Sequence, residues 1–129
     1  MKTALENDYV HLEIREGILI GIYKKGLKIN LPIAREIVRS RLAFTANRKF
    51  PALIFNQGVI SMDKEARQFL SSEDGIKGLK AAAIVLDSPF GSFLGNFFLA
   101  VNKTSLPVKI FANQAKAKKW LLQFIPSSN

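Results

Sequence analysis

Val10, Leu12 and Ile14 alternate with His11, Glu13 and Arg15, the period of two that a strand with one buried face produces. Glu16-Gly17 is a tight-turn dipeptide whose glycine accepts a positive φ. Ile18, Ile20 and Ile22 resume the alternation up to about residue 23. The two strands are expected to pair as an antiparallel hairpin. A basic turn, Lys24-Lys25-Gly26, follows, with a little more extended chain at 27–29. The period then changes. Asn30 is a suitable N-cap, and Pro32 falls in a first turn, where a missing N–H matters least. Ile33, Ile37, Val38 and Leu42 keep helical spacing, so helix one is predicted from 31 to about 47.

Pro51 precedes a run, 52–56, that is apolar on both faces, as in a central parallel strand. A polar loop leads to helix two. Ser61 is its predicted cap, Asp63 and Glu65 lie in its first turn, and Ala66, Phe69 and Leu70 form its buried side. Residues 71–78 read as a polar loop. Residues 79–86 contain AAAIVL, a second continuous apolar strand whose alanines require something packed closely over them. Asp87-Ser88-Pro89 starts helix three, predicted to run to about residue 101. A turn at 102–106, a strand at 107–111 and helix four close the chain. Asn113 caps that helix, with Ala117, Trp120, Leu121 and Phe124 inward and Lys116, Lys118 and Lys119 outward.

The order β-β-α-β-α-β-α-β-α predicts an α/β fold: a single open, mostly parallel β-sheet with an antiparallel N-terminal hairpin. The 129 residues suit one domain, 1–129, with 1–7 and 126–129 frayed. An apolar content of 48% argues against disorder. Cysteine is absent, which excludes disulfides, thiolate nucleophiles and thiolate metal sites. The charged N-terminus lacks a signal core, and the apolar run 90–101 is too short to span a bilayer. A cytoplasmic location is the expectation.

The net charge of +9 is unevenly spread. Glu6, Asp8, Glu13 and Glu16 make the start acidic, whereas 17–56 carries Glu36 against a series of lysines and arginines, and 88–129 has lysines and no acid. Such a surface attracts anions without specifying one. Arg35, Arg39 and Arg41, with Arg48 and Lys49, are read as a basic surface of helix one. Only Tyr23 and Phe50 offer aromatics near it, too few for a nucleic-acid groove.

Three stretches, PALIFN leading into MDKEARQF, SPFGSFLGNFFLAVNK, and LPVKIFANQAKAKKWL, set in this element order, resemble the STAS-like group. That is the fold of the sporulation anti-sigma-factor antagonists, and the nearer likeness is to its small stand-alone bacterial branch. The resemblance covers nearly the whole chain and implies a protein-binding regulatory module. In phosphorylatable antagonists an Asp ends this strand and an Asp-Ser pair opens the helix, the Ser accepting phosphate. Here Asn56 ends the strand and Asp63-Lys64 opens the helix. Lys64 cannot take phosphate from a serine kinase, so that switch is expected to be absent.

The residues themselves offer little for catalysis. His11 is the lone histidine, on the outward side of a strand, and Asp63 and Glu65 are two apart on a helix and do not share a face. No nucleotide, hydrolase or zinc motif occurs. No catalytic residue, metal or cofactor is assigned. The candidate binding residues are Asn56, Ser61, Asp63 and Arg67, with Ser88 and Asn96 beside them. Arg67 either pairs with Asp63 at i,i+4 or binds an anion at the helix start. Phe90, Leu94, Phe97 and Val101 form a stripe on helix three. Phe93 and Phe98 widen the apolar surface beyond it, so the helix is either core, or a face for a partner protein or a second copy, or a pocket or membrane surface for apolar ligands; Phe93 and Phe98 are the candidate interface residues, and a homodimer is expected. The functional expectation is a non-enzymatic regulatory or protein-binding module. The alternatives are a carrier or sensor of a small apolar or anionic ligand, and non-specific nucleic-acid or anionic-lipid binding.

Overall fold

A computed structural model describes residues 3–56, 58–86 and 106–125. The elements are β1 (Ala4–Glu6), β2 (Val10–Arg15), β3 (Ile18–Tyr23), β4 (Lys28–Ile29), α1 (Leu31–Thr45), β5 (Phe50–Phe55), β6 (Ser61–Met62), α2 (Lys64–Leu70), α3 (Glu73–Ile76), β7 (Leu79–Val85), β8 (Val108–Phe111) and α4 (Gln114–Leu121). A short 3-10 turn, Leu122–Phe124, follows α4. Helix three, with Ser88, Phe93, Asn96 and Phe98, lies outside the described residues, as does the tail at 126–129.

The fold is the expected α/β arrangement. Six strands form one sheet in the order β1-β2-β3-β5-β7-β8. β1–β2 and β2–β3 are antiparallel pairs, and β3–β5, β5–β7 and β7–β8 are parallel pairs. The expected fraying of 1–7 is corrected at its inner end. Leu5 stands opposite Leu12, and this short edge strand extends the hairpin. Strand three also starts earlier than predicted. Pro51 lies inside β5, and the register against β7 slips between Phe50 and Pro51, as a residue without an N–H requires.

The alternation read from the sequence sorts the core into two layers. Val10, Leu12, Leu19, Ala52 and Ile84 face Ala34 and Ile37 of α1 and Ala66 of α2. Ile18, Ile20, Leu53, Ala81, Ala83 and Val85 face Ala117 and Leu121 of α4. The alanines at 81 and 83 thus lie beneath α4, the close packing their size called for. Asn30 caps α1 as predicted, its Oδ1 accepting from the Ile33 N–H at 3.0 Å. Asn113 does the same for α4 through Lys116 at 3.0 Å. The helix ends at Thr45, two residues short of the prediction, because Ala46 and Asn47 take left-handed backbone with φ of 53° and 61°.

The segment read as a loop at 71–78 contains α3. Ser72 caps it, its Oγ accepting from the Gly75 N–H at 3.2 Å. Gly75 is buried where a Cβ would come within 2.7 Å of Leu70 Cα, so only glycine lets α3 fold back against the end of α2.

Candidate functional site at the strand ends

The parallel strands β3, β5 and β7 end together, and the loops that leave β3 and β5 lie side by side. A second, two-stranded sheet joins them. β4 pairs parallel with β6, Lys28 opposite Ser61 and Ile29 opposite Met62. The ladder is extended by Gly26 N to Gly58 O at 2.8 Å, Ile60 N to Leu27 O at 2.8 Å and Asp63 N to Ile29 O at 3.0 Å. Gly58 has a φ of 76°, and a Cβ there would sit 3.1 Å from Lys25 Cγ, so the close approach depends on glycine.

This ladder corrects the cap of helix two. Ser61 is an exposed strand residue and caps nothing. Asp63 is the N-cap, its Oδ1 accepting from the Ala66 N–H at 2.8 Å. A two-residue strand is too short to show a period, which is why Ser61 looked like the better cap. The loss of Ser61 as a cap leaves its hydroxyl exposed, while the Asp63 carboxylate is committed to the helix. Arg67 does not pair with Asp63. Its Nη1 donates to the Met62 carbonyl at 2.7 Å, tying α2 back to β6. Lys64, exposed, is the first residue of α2.

Asn56, the residue after β5, is only 5% exposed. Its backbone N–H donates to the Val85 carbonyl at 3.1 Å. Its side chain is different: neither Oδ1 nor Nδ2 reaches solvent or has a hydrogen-bond partner. A buried, unpaired amide is disfavoured by about 1–3 kcal/mol relative to a paired one. Among the described polar side chains predicted for this site, Asn56 alone is buried with its bonding capacity unused.

The basic surface of helix one is corrected at one position. Arg35 and Arg39 are exposed, Arg35 over the Phe69 ring at 5.8 Å and Arg39 bonded to Glu36 at 2.7 Å. Arg41 is buried, at 8% exposure. It shares a helix face with Ala34, Ile37, Val38 and Thr45. The signal was its spacing, three after Val38 and four after Ile37, which places it on the apolar stripe whatever its charge.

His11 lies in a surface network. Its Nδ1 is 3.0 Å from Glu6 Oε1 and its Nε2 3.7 Å from Glu13 Oε1. Lys24 Nζ is 2.7 Å from Glu6 Oε2. Lys24 first and His11 second hold the Glu6 carboxyl below its ordinary value. The network fastens β1 to the hairpin. Among the described residues, no group of three or more His, Cys, Asp or Glu side chains could hold a metal ion. Nor is any helix among them long and apolar enough to cross a membrane.

A family model described as "Domain of unknown function (DUF7793)" matches residues 12–125. No curated protein matches the chain. Among solved structures, the chain is similar to the crystal structure of an uncharacterised protein of the DUF3478 family, with a SpoIIAA-like fold, from Shewanella loihica PV-4. The TM-score is 0.57 at 18% identity, covering 91% of this chain and 98% of that one. At that identity the likeness speaks to the fold, and it bears out the STAS-like resemblance read from the sequence.

Proposed function

Because the chain belongs to the family described as a domain of unknown function (DUF7793), its role has to be read from its own residues, and we propose that it is a non-enzymatic regulatory binding module that recognises a partner protein at the C-terminal ends of its parallel strands. The observation that carries this reading is Asn56, a buried amide with donor and acceptor both idle. Open α/β sheets meet their ligands where the strands end. A neutral amide there, once the strand-end loops part to uncover it, can exchange two hydrogen bonds with a peptide group of a partner, and it supplies neither a proton nor a nucleophile at working pH. The charged groups alongside support the same reading, since Asp63 caps α2 and Arg67 holds the Met62 carbonyl. Both are spent on shaping the loop.

The test is affinity capture from cytoplasmic extract, nuclease-treated and washed at high salt, with the wild-type chain and Asn56→Leu as parallel baits. Circular dichroism first establishes that the variant is folded. A protein retained in stoichiometric amount by the wild type and lost from Asn56→Leu is the expected outcome. An identical set on both baits would remove Asn56 from the site and the reading with it.

A further inference from the structure

Arg41 and Tyr23, with Thr45, are polar members of a mostly apolar layer between α1, α3 and the sheet. Arg41 Nη2 donates to the Gly75 carbonyl at 2.8 Å and the Lys77 carbonyl at 3.0 Å, which spends both of its hydrogens. Its Nε is shut off from solvent and has no hydrogen-bond partner. Among the described residues no carboxylate forms an ion pair with it. An arginine keeps its charge at any working pH, and a buried charge is strongly disfavoured without an opposite one. Two peptide carbonyls supply only part of that.

The guanidinium borders empty space. Tyr23, Arg41 and Ile54 line two cavities, of about 40 Å³ and about 20 Å³. The rest of the larger wall is almost wholly apolar, including Leu70, Leu79 and Ile84. The larger cavity is roomy enough for a water and small enough to admit only a ligand of a few heavy atoms. That is the size of a carboxylate with one or two carbons.

We propose that this cavity is a binding site for a small monocarboxylate, which supplies the negative charge that Arg41 lacks and accepts its Nε hydrogen. With both Nη2 hydrogens committed to carbonyls, one carboxylate oxygen accepts the remaining Nε hydrogen in a single charge-assisted bond. The carboxylate's single charge balances a single arginine, whereas a sulfate or phosphate dianion would leave buried charge uncompensated among apolar walls. Burial raises the Tyr23 phenol above its ordinary value, with the Arg41 charge opposing, so the ring stays neutral and adds no competing anion. The site shares no residue with the Asn56 loop and stands independently of the reading given there.

The test titrates the full chain with sodium acetate at constant ionic strength, against acetamide and sodium sulfate as controls. The readouts are the Arg41 Nε–H resonance in arginine-labelled protein and the thermal midpoint. Acetate is expected to shift that resonance saturably and to raise the midpoint with the logarithm of its concentration. Acetamide and sulfate are expected to do neither, and Arg41→Met is expected to lose the acetate response. Equal effects of acetate and acetamide, a resonance that stays in place, or an acetate response that survives in Arg41→Met would each overturn the proposal. Should Arg41→Met fail to fold, the wild-type resonance decides alone.

Discussion

Replacing Asn56 by leucine should make this protein more stable while abolishing its binding. Leucine branches at the same atom as asparagine, so methyl groups take the places of Oδ1 and Nδ2 with little change of shape. In the wild type those two atoms are buried without partners. Relief of an unsatisfied buried polar group is worth about 1–3 kcal/mol, and a gain of about 2 kcal/mol is the central expectation. The unfolding entropy near the midpoint is about 2.1 cal/mol/K per residue, or about 270 cal/mol/K for this chain. One kcal/mol then moves the midpoint by about 4 °C, and the predicted rise is about 7 °C. Thermal and urea unfolding, followed by circular dichroism at one pH, measure it. The urea slope should not change, because the area exposed on unfolding is nearly the same. A variant equal to or less stable than the wild type would mean that the amide is hydrogen-bonded in solution. An amide already bonded would not be waiting for a partner.

Three further outcomes follow from the geometry. Asp63→Ala should lower stability by about 1 kcal/mol as α2 loses its cap, whereas Ser61→Ala should stay within about 0.5 kcal/mol of the wild type; urea midpoints in the reverse order would restore Ser61 as the cap. Gly75→Ala should lose about 1–3 kcal/mol, because its Cβ would press on the backbone at Leu70; unchanged unfolding curves would show that α3 yields freely. The depressed Glu6 pKa, caused by Lys24 and then His11, stabilises β1 fully above the ordinary 4.5, and that contribution is lost as pH falls through the lower folded value. Protection of the Leu5 and Glu6 amides against hydrogen exchange, relative to the intrinsic rate at each pH, should therefore fall on acidification below 4.5, and less steeply in Glu6→Gln; parallel slopes in the two proteins would refute the coupling.

The hairpin, α1, β5 and β7 were legible because each is long enough to display a period. β1 and β6 were not, since two or three residues carry no period and take their place from the strand alongside. The strand end proposed as the site was legible too: an apolar strand running into a polar loop marks one. The states of its residues were not, because they depend on what packs around them. That Asp63 caps and that Arg67 bonds a carbonyl follow from the β4–β6 ladder, and that Asn56 is sealed without partners shows only in the packed fold. Arg41 is the instructive case. Its spacing placed it in the core and its charge argued for the surface, and in the fold the spacing prevails. The Gly75 and Lys77 carbonyls meet part of that cost, and they come from α3 and the residue that ends it, in a segment read as loop.

In the main sheet, strands stand side by side in the order in which the chain is written. Each strand finds its partner already laid down before it, and none has to wait for a later segment to be inserted between neighbours. A nascent chain can thus build the sheet from its first edge outward as it leaves the ribosome, closing short loops in preference to long ones. At every stage one fresh edge is exposed, and the residues that will cover it are the next to emerge.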